Sequence, residues 1–209
     1  ETDRKKKLYA ITREKVIKQT KEFIKRTVYE NLDNIIPAFW IRIFQEQITV
    51  DELNAMLADA SPMLKNNRFI TKLLSVQEGS NFVDFKVELP DGTKVYLSEY
   101  IGNGHYVLVN IWASGCGACI VELPEIRNAG EKYASKNLKL LSISIDRDRK
   151  NWEKALKRLG LPWTQVLADY SFVNSYGINK IPVLMLISPD GIILKRNFSI
   201  EDLNRLFQN

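Results

Sequence analysis

The two cysteines of the chain, Cys116 and Cys119, form a C-x-x-C motif between two segments with different hydrophobic periodicity. The segment before the motif, residues 106–112, is almost continuously apolar, and its length and β-branched content are typical of a strand buried on both faces. In the segment after it, residues 120–126, apolar side chains recur at helical spacing. The motif is therefore predicted to lie where a buried strand ends and a helix begins.

A strand-to-helix junction of this kind favours a reactive thiol. The first turn of a helix offers unpaired backbone N–H groups and the positive end of the helix dipole, and both stabilise a thiolate. Cys116 is therefore predicted to ionise more readily than a free cysteine, whose pKa is about 8.5. Cys119, one turn further along, is expected to be the more buried, resolving thiol. If the two cysteines exchange between a dithiol and a disulfide, they themselves carry the electrons of the reaction, so no bound cofactor is predicted.

Other uses of a C-x-x-C pair fit this sequence less well. A structural zinc site needs four ligands, and besides the cysteines the chain offers one histidine, His105, so no metal site is predicted. Covalent haem attachment needs C-x-x-C-H, but Ile120 stands at the histidine position. A purely structural disulfide stays open as an alternative, although it would close so short a loop that it would restrict the unfolded chain little.

Composition and charge argue against several classes of protein. With 209 residues, 45% of them hydrophobic, the chain can form one sizeable core with an appended element. No segment approaches the roughly 20 consecutive apolar residues of a membrane span. The net charge is +5, and basic residues concentrate near the N-terminus among acidic ones, which is typical of a solvated helix face, so no nucleic-acid partner is predicted. The sequence starts at Glu1 rather than Met, which leaves room for a leader or a membrane anchor before residue 1.

Residues 1–75 are predicted to form an all-helical N-terminal segment. Between residues 8 and 48 apolar side chains recur at nearly every turn, which indicates one long amphipathic helix or two helices broken near Pro37. Two more helix starts carry N-capping patterns, at residues 49–52 and 61–62. The apolar face of these helices must pack against something, and the candidates are the following domain, a substrate protein or a second copy of the chain in a homodimer.

Residues 76–209 are predicted to form an α/β domain. In chain order the pattern indicates a β-hairpin turned at 90–92, the buried strand and the cysteine helix, a strand parallel to the first at 138–146, a helix at 148–159, a short strand at 164–168, a short helix at 171–176, a hairpin turned at 189–191 and a terminal helix from 199. The predicted architecture is a central mixed sheet flanked by helices.

Six short motifs occur in a specific order along this domain: Asp84-Phe85 with Leu89-Pro90-Asp91-Gly92, Trp112-Ala113-Ser114, Glu122-Leu123-Pro124, Tyr176-Gly177-Ile178, Ile181-Pro182 and Ser188-Pro189-Asp190-Gly191. With them, the domain resembles the thioredoxin fold, and it is similar to the TlpA-like thiol-disulfide oxidoreductases of the bacterial cell envelope, the cytochrome-maturation type. The resemblance covers most of the domain but does not reach the N-terminal helices.

The resemblance implies a role for four residues. Cys116 corresponds to the attacking cysteine and Cys119 to the resolving one. Pro182 falls on the cis-proline of the family, which lies against the disulfide and helps to position a substrate strand, while Ile181 would offer its backbone groups to the client. A proline at the start of a core strand, which donates no N–H, also fits a special position.

Three small residues around the cysteines, Gly115, Gly117 and Ala118, are expected to contact the client as well. Many members of the family carry tryptophan immediately before the first cysteine, and here that residue is Gly115. The client contact is therefore expected to be more open. Trp112 remains and is predicted to pack under the site as structural support.

Glu122 is the predicted acid for proton transfer. It lies three residues after Cys119, so both side chains project from the same helix face. A partly buried carboxylate beside a thiol can accept and return its proton, although a solvated glutamate in a first turn could instead merely favour the helix dipole. Thioredoxins usually have an aspartate where this chain has Asn110. Because an amide cannot take a proton, the proton-transfer role moves toward Glu122.

The predicted function is thiol-disulfide exchange. The partners would be a client protein with a disulfide and an upstream thiol reductant, and the resemblance favours reduction in the periplasm or cell envelope, in the service of cell redox homeostasis. One alternative is a peroxiredoxin-like thiol peroxidase, but the threonine expected three residues before Cys116 is absent. Another is a non-catalytic binding module that uses the helical segment.

Overall fold

The computed structural model describes residues 2–208, which divide into two compact units, one ending at Leu74 and the other beginning at Ser75. Over its described residues the first unit contains helices α1 Thr2–Glu30, α2 Ile36–Phe44, α3 Val50–Leu57, α4 Pro62–Lys65 and α5 Arg68–Leu74, with a short 3-10 turn at Gln45–Gln47. The prediction of a helical N-terminal segment is confirmed. Among the helices within residues 2–208, none is both long and apolar enough to cross a membrane.

The break between the first two helices lies earlier than the predicted position near Pro37. α1 ends at Glu30, and α2 begins at Ile36, whose N–H donates a hydrogen bond to the side-chain oxygen of Asn34 at 2.9 Å. Pro37 falls in the first turn of α2, where its missing N–H removes no helix hydrogen bond. The proline therefore helps to start the second helix and does not end the first.

The helical unit has its own core, to which all five helices contribute buried apolar side chains. Thr49 caps α3, and the Glu52 side chain accepts a hydrogen bond from the Thr49 N–H, so the predicted capping box is confirmed. Glu52 also forms an ion pair with Lys21 at 2.8 Å, which connects α3 to α1.

The second unit contains a seven-stranded mixed sheet flanked by helices. Its elements are β1 Lys86–Glu88, β2 Lys94–Tyr96, β3 Tyr106–Trp112, α6 Gly117–Lys132, β4 Leu138–Ser144, α7 Arg149–Leu159, β5 Thr164–Leu167, α8 Tyr170–Ser175, β6 Val183–Ile187, β7 Ile193–Arg196 and α9 Ile200–Gln208. The strand order is β2-β1-β5-β4-β3-β6-β7, in which β3, β4 and β5 run parallel to one another. The predicted α/β fold class, including the parallel pairing of β3 and β4, is confirmed.

β3 lies inside the sheet and is buried over six of its seven residues. It pairs with β4 on one side and antiparallel with β6 on the other. Its odd-numbered side chains belong to one core cluster, whereas Leu108 and Trp112 belong to clusters on the opposite face, to which α6 contributes. The residues that follow β3 therefore lie at the C-terminal end of this inner strand, next to the start of α6.

Tyr176 connects the segment ahead of β1 to the core. Its hydroxyl donates a hydrogen bond to the Val83 carbonyl at 2.7 Å and accepts one from the Val83 N–H at 3.0 Å, and the residue is 1% exposed. Tyr176→Phe leaves both Val83 groups without this partner, so we expect the free energy of unfolding to fall by about 1–3 kcal/mol. Tyr170→Phe is the matched control, because Tyr170 is 63% exposed. Urea denaturation measures both variants, and equal stabilities would contradict the prediction.

Candidate active site

A disulfide joins Cys116 and Cys119 at the junction of β3 and α6, with their Cα atoms 5.3 Å apart. Cys116 is the N-cap of α6, and its Sγ accepts a hydrogen bond from the Cys119 N–H at 3.1 Å. Cys119 is fully buried, whereas Cys116 is partly exposed. Of the two cysteines, Cys116 is therefore the one at the surface, and the backbone of the first helical turn is placed to stabilise negative charge on its sulfur.

The disulfide lies on a small apolar cluster. Trp112, Trp152 and Ala155 are buried together with Cys119. Partly buried side chains pack against this cluster, namely those of Cys116, Leu156, Leu159, Leu161, Leu167 and Ile181. Trp112 and Trp152 are both 0% exposed. Two tryptophans therefore belong to the apolar cluster of the buried cysteine, and the supporting role of Trp112 stays a prediction.

Ile181 and Pro182 lie at the same end of the sheet as the disulfide, although they belong to a distant part of the chain. The peptide bond between them is cis, as the resemblance implies. β6 begins with the next residue, Val183, which pairs with Ile111 near the end of β3. This register brings residues 181 and 182 to the end of the sheet at which the disulfide lies.

The surface around Cys116 carries little side-chain bulk. Gly115, Gly117 and Ala118 are all exposed. A Cβ atom added at Gly115 or at Gly117 would meet nothing within 4 Å. There is therefore free space beside both glycines, and the more open client contact stays a prediction.

Glu122 is partly buried one turn after Cys119, and one of its carboxylate oxygens, Oε2, is buried without a hydrogen-bond partner among the described residues. Burial raises the pKa of Glu122, and the nearby negative charge of Glu125 raises it further. A carboxyl group of this kind binds a proton more readily than an exposed one, as proton transfer requires.

Asn110 is buried in the middle of the sheet, 1% exposed. Its Nδ2 donates a long hydrogen bond of 3.4 Å to Ser142 Oγ on the neighbouring strand, and the same oxygen accepts a bond from the Trp163 indole N–H at 2.8 Å. The position that is an aspartate in thioredoxins is therefore occupied here by a buried amide in a neutral polar cluster.

A network around Asp146, which the sequence did not reveal, holds the residues just ahead of Cys116. Asp146 follows β4, and its carboxylate accepts hydrogen bonds from the Ser114 N–H at 2.9 Å and from the Ser114 hydroxyl at 2.6 Å. The Ser144 hydroxyl donates a third bond to it at 2.6 Å. The sequence signal is coarse: an aspartate just past the end of a parallel strand lies at the same end of the sheet as the residues that follow the neighbouring strand, but its partner there depends on the strand register.

Comparison with known protein families assigns the chain to one of them. The model of the redoxin family matches residues 77–204. The chain belongs to the redoxin family. The matched range contains both cysteines, the cis-proline and Glu122, so the residues of the site lie within the part of this redoxin that defines the family.

Individual relatives of this redoxin agree with that placement. This redoxin and the thiol-disulfide oxidoreductase ResA of Geobacillus thermodenitrificans are 29% identical over a region that covers 61% of this chain and 72% of ResA. The thioredoxin domain of a thiol-disulfide oxidoreductase from Bacteroides vulgatus superposes with a TM-score of 0.58 at 28% identity, covering 64% of this chain and 97% of that one. A thiol-disulfide oxidoreductase from Bacteroides fragilis gives a TM-score of 0.56 at 31% identity, covering 62% and 98%. The predicted resemblance to thioredoxin-fold oxidoreductases is confirmed.

The site of this redoxin thus combines three elements that are far apart in sequence. α6 and its N-cap supply Glu122 and the two cysteines, the segment just before β6 supplies Ile181 and Pro182, and the segment just after β4 supplies Asp146. A thiolate from another molecule can attack this disulfide, and in its reduced dithiol form the pair can in turn attack the disulfide of another protein.

Proposed function

We propose that this redoxin is a thiol-disulfide oxidoreductase that reduces disulfides of client proteins by exchange through Cys116 and Cys119. The observation that carries the proposal is the disulfide itself, because Cys116, a partly exposed residue, caps a helix N-terminus while Cys119 is fully buried. That arrangement admits attack at one end only. The membership in a family with relatives named thiol-disulfide oxidoreductases supports it.

The reaction transfers two electrons in two exchange steps. In the dithiol form, the Cys116 thiolate attacks one sulfur of the client disulfide, so a mixed disulfide forms and the other client sulfur leaves as a thiolate. The Cys119 thiolate then attacks Cys116 Sγ, the second client sulfur leaves, and the Cys116–Cys119 disulfide closes. An upstream thiol reductant restores the dithiol form. The dithiol form of the cysteine pair carries both electrons to the client, and the proposal needs no further cofactor.

Protons must move in the second step, because Cys119 attacks only as a thiolate. The fully buried Cys119 has little access to water, whereas Glu122 lies one turn further along the same helix with a raised pKa. In our proposal the Glu122 carboxylate accepts the proton of Cys119 as the disulfide closes and returns it when the disulfide is reduced.

The client would bind across Cys116 and the cis-proline loop. Within residues 2–208, the backbone N–H and C=O groups of Ile181 have no hydrogen-bond partner, so they are available to an extended client strand. The exposed residues Gly115, Gly117 and Ala118 leave room for that strand beside Cys116. The resemblance to envelope proteins of the TlpA type supports a periplasmic or cell-envelope location and the reducing direction.

Reduction of insulin, monitored as the precipitation of its free chains, tests the proposed function. With dithiothreitol as the upstream reductant, this redoxin should accelerate precipitation well beyond dithiothreitol alone. Alkylating both thiols of the reduced protein should remove the acceleration, because Cys116 could no longer attack. Consumption of hydrogen peroxide by the reduced protein without any acceleration of insulin reduction would overturn the proposal in favour of a peroxidase.

A further inference from the structure

The segment between β3 and α6 is fixed by hydrogen bonds on both sides of Ser114. At its start, the Trp112 carbonyl accepts a bond from the Ile145 N–H at 2.9 Å, and at its end the Cys116 N–H donates to the Ala113 carbonyl at 3.0 Å. Between these two bonds, Ser114 donates two hydrogen bonds to one side chain, from its N–H at 2.9 Å and from its hydroxyl at 2.6 Å. That side chain belongs to Asp146.

The Asp146 carboxylate is itself held in place. Ser144 is 0% exposed and pairs with Trp112 across the parallel strands β3 and β4. The Ser144 hydroxyl donates to the carboxylate at 2.6 Å and accepts from the Asp146 N–H at 3.1 Å. Asp146 therefore presents its two oxygens to Ser114 from a fixed base at the end of β4, and the two bonds from Ser114 are charge-assisted.

We propose that Asp146 is a positioning residue for the redox pair: it holds residues 113–116 in the conformation that places Cys116 opposite Cys119. The inference rests on the proposed function. When both thiols are free, disulfide closure requires the Cys116 sulfur to return to Cys119, and a pre-ordered segment loses less entropy on closure than a mobile one. The network around Asp146 therefore raises the effective concentration of one thiol toward the other and makes the pair more reducing.

The measurement is the equilibrium between the redox pair and glutathione. Closure of the pair oxidises two thiols to one disulfide, and the two electrons and two protons pass to glutathione disulfide, which becomes two molecules of glutathione. Asp146→Ala removes the acceptor for both bonds of Ser114. We expect the equilibrium constant for disulfide closure to fall about tenfold, which raises the reduction potential by about 30 mV.

This readout distinguishes positioning from a general contribution to stability. A residue that stabilises the oxidised and the reduced form equally leaves the potential unchanged, even when its loss lowers the melting temperature. Asp202 provides the matched control, because it accepts hydrogen bonds from the Ser199 N–H at 3.0 Å and from the Ser199 hydroxyl at 2.7 Å, far along the chain at the start of α9. Asp202→Ala should lower the melting temperature and leave the potential as in the wild type.

Two further variants identify the cause of the shift. Asp146→Asn removes the charge but keeps an oxygen acceptor for Ser114, so its shift should be clearly smaller than that of Asp146→Ala. Ser114→Ala removes only the hydrogen bond of the hydroxyl, so it should raise the reduction potential by less than Asp146→Ala does. If Asp146→Ala does not fold, Ser114→Ala still tests the positioning role. An unchanged potential in Ser114→Ala and Asp146→Ala, or equal shifts in Asp146→Asn and Asp146→Ala, would overturn the positioning role. Insulin reduction by the wild type would still stand in those cases, so the proposed function is tested separately.

Discussion

Cys116→Ser is expected to lose insulin reduction completely, down to the rate of dithiothreitol alone, because no other thiol in this redoxin is accessible for the first attack. The chain contains two cysteines, and Cys119 is 0% exposed. Cys119→Ser should also fail to turn over, but for a different reason. Its Cys116 can still attack the client, and no second thiol is present to release the mixed disulfide.

The two variants therefore differ in what they accumulate. Incubation with an oxidised client, followed by acid quenching and non-reducing electrophoresis, should show a covalent complex with Cys119→Ser and none with Cys116→Ser. Asp202→Ala retains both cysteines and the segment around Ser114, so it serves as the control, with no trapped complex at steady state. A complex trapped by Cys116→Ser instead would reverse the roles of the two thiols.

Glu122→Gln is expected to slow closure of the Cys116–Cys119 disulfide by about two orders of magnitude, which is the lower range for loss of a general acid or base. The amide keeps the shape of the side chain but cannot accept the proton of Cys119. In the wild type the rate of closure should rise with pH as Glu122 loses its own proton, in a range above that of an ordinary glutamate because burial raises its pKa. Glu122→Gln should lack this limb of the profile.

The same substitution should stabilise the folded protein at neutral pH. Folding raises the pKa of Glu122, so the native state binds the proton more tightly than the unfolded state, and stability decreases as the pH rises through this range. Above the raised pKa the wild type carries a desolvated charge that Glu122→Gln lacks. The difference in melting temperature should vanish in acid, where Glu122 is protonated in both states. Glu131→Gln, an exposed change on the same helix, is the control for both measurements. If the rate of disulfide closure in Glu122→Gln depended on pH as in the wild type, proton transfer would have to be assigned to another group.

The position of the disulfide could be predicted because it depends on local patterns. The continuous apolar segment before the cysteines predicts β3, and the helical spacing of apolar residues after Cys119 predicts α6. Together the two patterns locate the junction between strand and helix. Capping is equally local: the Ser199 and Asp202 side chains form the reciprocal hydrogen bonds that their spacing indicates. The break before α2 shows the limit of such patterns, since a proline fits both the end of one helix and the first turn of the next.

The network around Asp146 could not be predicted, because it depends on strand register. Ser114 and Asp146 are 32 residues apart, and they meet because Trp112 pairs with Ser144 across β3 and β4. The strand–helix–strand order predicted that the two strands are parallel, given the usual right-handed crossover, but carries no information on how they align. The pairing of Glu88 with Leu167, which places β1 next to β5, is likewise set by the packing of the whole unit.

The reduction potential of the Cys116–Cys119 pair in the wild type tests the central claim most directly. Equilibration with glutathione or dithiothreitol buffers, followed by alkylation of free thiols and mass determination, gives the value. A disulfide that exchanges with clients should titrate reversibly at a potential above about −300 mV. A value well below about −300 mV is typical of a structural disulfide and would contradict the account.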